Sequence, residues 1–519
     1  MRGCRPVMSA NTVCKNLRKS PHSDSYQANY LTKKAEMLTS YTKLYNSQSV
    51  RFERALPGTN EVFLVDGRPR RIYDPVLDEL RRTGPEKWEE KLRRAHGLLL
   101  EEQHSFGILE GDKTHPTDWI PRIVPASDWE RLVRGLEQRL RAINEFLRRL
   151  EAGKDEVVPR EVIESSILYD VSTPNRFGPV PVRQIAFDVV AVESRRAGET
   201  GGWEYLVIEE NAKMPVGLAA MTRRRLMSRE VFFPKSYAEL PVHSLDGWLR
   251  RLGDALRAAS PKGADATLAV VTSGPDDQFY LDHHIYAREM DAVLAETREL
   301  IVDGEGFLAH GPTERRIDVI YERIDEDRLY AEVPGLLESH IEGKVHVLFA
   351  PNSEIVDDKG VEVFVPEMVR TYLGEEPLIQ NARTWTLAAE EDYRYVMDHF
   401  GELVVKSRGG YGGKEVMIGP EETKESVERF RKMVEENPVE YVAQEMIDFS
   451  THVLCETGEG DFLLRDSYAD YRMLVLAPDP EDPDVVEMVP GSLSRVAAPG
   501  KHIVNISSGG KMKDTWVLG

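Results

Sequence analysis

The chain has 519 residues, 41 % hydrophobic and 30 % charged, enough apolar material for sizeable cores in roughly three or four structural units. Acids outnumber bases 88 to 67, and the net charge of −21 excludes a nucleic-acid binder, which needs a basic footprint, and docking on an anionic membrane surface. The three cysteines, Cys4, Cys14 and Cys455, exclude a disulfide framework and a cysteine-based zinc site, and they suit a reducing, cytosolic setting.

No run reaches the roughly 18 apolar residues of a membrane span. Residues 1–24 are polar and basic, without the apolar core of a secretory signal. Residues 1–30 read as a disordered tail, with Met8 as an alternative start, and 31–160 as a mostly helical region. Residues 85–100 and 129–150 carry apolar side chains at helical spacing, and Pro85 suits the first position of its helix. In the second stretch Leu132, Leu136, Leu140, Ile143, Phe146 and Leu147 make one stripe, and the arginines read as a solvated face.

From Arg183 the period changes. QIAFDVVAV at 184–192 and YLVIE at 205–209 flank a Gly-containing turn and read as a β-hairpin within a 161–260 segment. A helix is expected near 245–259. In 261–350, a strand at 267–271, a helix at 284–296 and a strand at 299–302 make a β-α-β unit, extended by strands at 316–321 and 345–350. Such a unit implies a parallel, Rossmann-like sheet. In 351–519, strands are expected at 403–406, 415–418, 441–445, 461–465 and 471–476, with a helix at 424–436 and an acidic loop at 478–483. The fold class is α/β (α+β).

Four features carry chemistry. VVKSRGGYGGKEV at 404–416 is a strand ending in Lys406, then a loop with Gly409, Gly410, Gly412 and Gly413. Glycines let backbone N–H groups close around an anion, and a lysine supplies a point charge for phosphate. The same segment is equally a glycine-rich hairpin turn with an exposed lysine. Glu209 and Asn211 lie two apart on a strand and face one side, and Asp188 on the partner strand can join them. Such hard oxygen donors suit Mg²⁺; an acidic strand end by itself also reads as plain surface. Asp357-Asp358-Lys359 carries no signal alone. Arg495, Asn505 and the pair Gly509-Gly510 near the carboxyl end could clamp a developing acyl-phosphate charge, or form a strand with turn glycines.

Taken together these features resemble an ATP-grasp enzyme in permuted order, with the E-x-N strand ahead of the glycine loop instead of last. The phrases IPRIV (120–124), EQRLRAINEFL (137–147), EENAKMPVG (209–217), DDKGVEVFVPEMVRTYLGEE (357–376), YVAQEMIDFSTH (441–452) and GGKMKDTWVL (509–518) are similar to those of the circularly permuted ATP-grasp family, type 2. The resemblance covers roughly 100–519 and implies an ATP-grasp fold with a Rossmann-like pre-ATP-grasp domain and a helical amino-terminal region. It implies that Lys359 and Lys406 hold the ATP phosphates, 409–413 forms a lid, and Gln444, Glu445 and Met446 contact adenine and ribose. Asp188, Glu209 and Asn211 are implied as Mg²⁺ ligands and Arg495 as the group steadying an acyl-phosphate. Lys213, His283, Asn505, Gly509 and Gly510 are implied on the substrate side, and His283 reads equally as a structural histidine. Lys213 stands where the family shows arginine, Glu415 replaces a glycine, and Ser492 stands where a second glycine is common.

The expected activity is ATP-dependent ligation of a small or peptide-like carboxylate to an amine through an acyl-phosphate, releasing ADP and phosphate, with neither nucleic acid nor membrane as partner. An ATP-grasp phosphotransferase and a nucleotide-binding protein without turnover are the alternatives.

Overall fold

The structure, a computed structural model, describes residues 45–47, 50–56, 58–175, 177–194, 202–410, 416–458 and 460–519. The expected tail at 1–30 lies outside them. Helix α1 (Asp74–Ser105) is kinked where Gly84 sits at φ 72, and Pro85 restarts the helix, so the arm expected at 85–100 is the second part of a longer element. In α2 (Ala126–Glu151) all six stripe residues are buried, packed on the main sheet. One arginine departs from the solvated face. Arg139 is 1 % exposed and donates through Nε to Glu210 Oε1 at 3.0 Å. It lies three residues after Leu136 and four before Ile143, so helical spacing places it at the stripe's edge.

Strands β1 (Gln184–Glu193) and β2 (Trp203–Asn211) form the antiparallel hairpin that their composition predicts. Asp188 faces Glu209, but Val189 faces Val207, so a bulge at Ile208 re-aims the end of β2.

The next unit is β3 (Leu268–Thr272), α3 (Tyr280–Glu289), β4 (Val293–Glu296), β5 (Val319–Arg323) and β6 (His346–Val347). Its sheet is wholly parallel, in the order β6-β5-β3-β4. Two expectations are corrected. The helix expected to run to residue 296 ends at Glu289, and β4, not the strand at Leu300–Val302, completes the β-α-β unit. The latter pairs antiparallel with Leu308–His310 in a separate sheet. The helix is closed by Asp291 in the left-handed region (φ 50) and by Ala292 N–H on the Ala287 carbonyl at 2.8 Å. Neither glycine nor proline marks that stop in the sequence.

A second small sheet is antiparallel. It consists of β7 (Thr384–Thr386), β8 (Val404–Ser407), β9 (Val416–Ile418) and β10 (Tyr441–Gln444), in the order β7-β10-β8-β9. The expected helix Lys424–Glu436 packs beside it, capped by Thr423 Oγ1 accepting from Ser426 N–H at 3.2 Å.

The main sheet is organised by β11 (Phe462–Leu476), a single 15-residue strand where two short ones were expected. The polar residues that read as a break are satisfied inside the sheet. Asp466 accepts from the amides of Ala55 (2.7 Å) and Leu56 (3.1 Å), and Ser467 donates to the Ala497 carbonyl at 2.6 Å. β11 pairs antiparallel with β1 and with β12 (Leu493–Val496), aligning Arg472 with Asp188 and Asp470 with Arg495. The region expected to be mostly helical also contributes strands. Val50–Glu53 runs parallel to β11, and Arg122–Val124 runs parallel to Thr515–Val517. Among the described residues, no helix is long and apolar enough to cross a membrane.

Candidate active site

The main sheet and the small antiparallel sheet face each other across a cleft of about 910 Å³, its open mouth included. Into it the fold brings Asp188 from β1, Glu209 from β2, Lys406 from β8, and Gln444, Glu445 and Met446 from the end of β10. Lys359, Gly410, Arg495 and Asn505 complete the set of sequence-predicted residues that line it. Gly412 and Gly413 lie outside the described residues.

Each charged group is held by a partner. Lys359 follows Asp358, whose carboxylate caps its short helix by accepting from Gly360 N–H at 2.7 Å. Lys359 Nζ then reaches Glu209 Oε1 at 3.0 Å and the Gly410 carbonyl at 2.7 Å. Burial disfavours its charge, but Glu209 and Glu362 outweigh burial and push its pKa up. Lys406 Nζ donates to Gln444 Oε1 at 2.9 Å, and burial lowers its pKa. Gln444 in turn donates to Thr384 Oγ1 at 3.0 Å.

At the other wall, Asp188 is fully buried. Arg472 grips it with two hydrogen bonds of 2.7 Å, and Arg495 adds one of 2.6 Å. Burial alone would raise the Asp188 carboxyl; the two guanidinium groups hold it well below the usual range. Arg495 also binds Asp470 and donates to Asn505 Oδ1 at 3.2 Å. Asn211 Oδ1 accepts from Arg472 at 3.3 Å. The hard oxygens of Asp188, Glu209 and Asn211 are of the kind Mg²⁺ takes. Asp188 spends both its oxygens on arginines, so of the two carboxylates that line the cleft Glu209 is the one paired with a lysine instead. Among the described residues no group of three or more His, Cys, Asp or Glu forms a metal cluster.

Other predicted residues lie elsewhere. Lys213 turns from the cleft to Glu354 at 2.5 Å and Asp325 at 3.7 Å. His283 is buried against Thr272 Oγ1 at 2.8 Å, and burial with nearby Arg323 pushes it down to about 3. Gly510 leaves no room for a side chain, since a Cβ would meet the Val504 carbonyl at 2.6 Å; Gly509 is a turn residue at φ 86. At Gly409 a Cβ would lie 2.5 Å from Cδ1 of the exposed Ile167, whose side chain would have to turn aside.

Sequence reasoning missed Arg472. It shares a strand face with Asp470 two residues earlier, a spacing that becomes visible only once 462–476 is one strand. Sequence reasoning named Asp357 only within the D-D-K run and gave it no role; Asp357 accepts from the amides of Ala212 (2.6 Å) and Lys213 (3.0 Å) and so fixes the chain just after Asn211. On the opposite face of β2, Glu210 meets Arg139, and its amide donates to Glu362 at 3.1 Å.

A family model for circularly permuted ATP-grasp, type 2, matches residues 121–497. An uncharacterized protein of Synechocystis sp. is 32 % identical over 480 residues, covering 88 % of this chain and 96 % of that one. A Frankia alni protein named "Putative glutamate--cysteine ligase 2-3" is 35 % identical over 90 % of this chain, which spans 54 % of that relative's length. A glutathione synthetase-like effector from Globodera pallida, solved in the apo form, superposes with a TM-score of 0.55 at 11 % identity, covering 84 % of this chain and 98 % of that one, a likeness of fold alone. The chain belongs to the circularly permuted ATP-grasp type 2 family.

Proposed function

We propose that the chain is an ATP-dependent carboxylate–amine ligase that works through an acyl-phosphate, in an ATP-rich cytosolic setting. The carrying observation is the convergence in one cleft of Lys359, Lys406, Glu209 and Arg495. They come from segments that the chain presents in permuted order, Glu209 ahead of the glycine loop. The name of the Frankia alni relative, "Putative glutamate--cysteine ligase 2-3", supports an amide-forming reaction with a peptide-like acid and an amine.

In this reading the protein's work is positioning and charge neutralisation, because phosphoryl transfer asks little covalent chemistry of the enzyme. Lys359 and Lys406 neutralise the triphosphate, and Gly409 and Gly410 bring backbone against it. Glu209, backed by Asp188 and Asn211, would hold Mg²⁺, which supplies further neutralisation of phosphate charge. Arg495, kept charged by Asp188 and Asp470, stabilises the oxyanion that forms when the amine attacks the acyl-phosphate. No side-chain nucleophile is needed.

The test combines calorimetric titration of Mg-ATP with hydroxylamine trapping. Binding that is lost in Lys406→Ala, together with a hydroxamate from a turned-over acid, is the expected result. No Mg-ATP binding, with Lys406→Ala identical to wild type, overturns the reading. Phosphate release without a hydroxamate would assign the chain to the phosphotransferases.

A further inference from the structure

His502 has no part in the scheme above, yet it lines the cleft, with the side chain 4 % exposed. Its Nδ1 donates to the carboxylate of Glu421. Its ring stacks on Tyr468, centroids 4.0 Å apart and planes at 27°. Its Nε2 is buried and, among the described residues, has no hydrogen-bond partner. A buried imidazole nitrogen left unpaired is costly, which points to a ligand group that completes it.

Its place in the cleft says which group. The glycine loop leaves β8 at Ser407, beside Lys406 and Lys359, so the phosphate charges belong at that end. Glu421 follows β9 at Ile418, whose register partner is Val404 at the opposite end of β8. The Glu421–His502 pair is therefore fastened at the end away from the loop. There the cleft is lined by Val404, Ile418, Met446, Ile447 and Phe449, apolar walls that suit a flat base and not a polyanion. In the neutral tautomer that donates its Nδ1 proton to Glu421, Nε2 carries a lone pair and accepts from a donor on the ligand.

We propose that His502, oriented by Glu421, is a specificity-determining residue that accepts a hydrogen bond from the nucleoside half of the bound triphosphate. The inference rests on the ligase reading, which supplies the nucleotide. The nucleoside offers donors of one chemistry from two sources, the amino group of adenine and the ribose hydroxyls.

The experiment is calorimetric titration of wild type, His502→Phe, His502→Gln and Glu421→Gln with Mg-ATP and with Mg-tripolyphosphate, which lacks a nucleoside. Phenylalanine keeps the stack on Tyr468 and removes the acceptor; glutamine keeps an acceptor. We expect His502→Phe to weaken Mg-ATP about tenfold, the size of one hydrogen bond, and to leave tripolyphosphate unchanged. His502→Gln should recover part of the loss, and Glu421→Gln should show a smaller loss, again confined to the nucleotide. A penalty that vanishes with purine riboside triphosphate assigns the base amino group, and one that vanishes with a deoxyribose analogue assigns a hydroxyl. Unchanged Mg-ATP affinity in His502→Phe overturns the proposal, as does an equal loss for ATP and tripolyphosphate. A wild type that binds no Mg-ATP overturns the ligase reading and this inference together, so the two failures are distinguishable.

Discussion

Arg495 and Asp188, 307 residues apart in the chain, meet Nη2 to Oδ2 at 2.6 Å in the wall of the cleft. Arg472 and Asp470 close the group, so two carboxylates and two guanidinium groups balance one another in a largely buried place, where Arg472 keeps 11 % of its side chain exposed. Removing one partner leaves a buried charge uncompensated, which typically costs about 3–5 kcal/mol. Asp188→Asn is therefore expected to lower the urea midpoint markedly and to abolish ATP turnover. A variant as stable as wild type would show that the network is not electrostatically closed.

Lys359 rests on Glu209 and on the Gly410 carbonyl. Charged hydrogen bonds to phosphate contribute about 1.5–3 kcal/mol each, so Lys359→Met is expected to weaken Mg-ATP roughly 10- to 150-fold while the thermal midpoint changes little. Calorimetry alongside a melting curve checks both halves.

Arg139 and Glu210 form a second buried pair, behind the cleft. Arg139→Met is expected to destabilise by about 3–5 kcal/mol, and the double change Arg139→Met/Glu210→Leu to recover much of that, because an apolar pair of similar volume replaces the ion pair. Chemical denaturation of the three variants measures the cycle.

Glu322 is buried at the carboxyl end of β5, and burial pushes its carboxyl up to about 8, although it accepts from Phe349 N–H at 2.6 Å. A folded pKa above the unfolded value of 4.5 means that the folded state holds the extra proton between them. Its contribution to stability is present below the lower value and is lost as pH rises through about 8. Glu322→Gln removes this titration. The stability of the variant relative to wild type is expected to rise between pH 5 and pH 8, read from urea midpoints; a constant difference would refute the assignment.

Gly409→Ala places a methyl group 2.5 Å from Ile167 Cδ1. The exposed isoleucine can turn aside, so stability is expected to change by no more than about 0.5 kcal/mol, and the effect to show as a displaced loop base and weaker Mg-ATP binding. Ile167 is 75 % exposed, so Ile167→Ala should be nearly silent alone and should restore binding in the double variant.

Local pattern made much of this molecule legible. The hairpin β1–β2, the helix Lys424–Glu436, and the stripe of α2 follow from period and capping within a few residues of each other. The elements misread were those whose limits are set by distant partners. β11 runs through Asp466 and Asp470 because groups elsewhere in the fold satisfy them, and α3 stops at a left-handed Asp291 that has no glycine to announce it.

The same division holds at the site. The amino-acid sequence by itself determined the chemical kinds present and their family: a lysine before a glycine loop, an E-x-N strand end, a D-K pair and a late arginine. Only the tertiary structure decided their pairings. It put Lys359 on Glu209, turned Lys213 away to Glu354, and surrounded Asp188 with Arg472 and Arg495. It also placed His502 in the wall of the same cleft. Residue type and spacing along one strand dictate which face a side chain takes; which opposite charge waits on that face depends on strands brought alongside from hundreds of residues away.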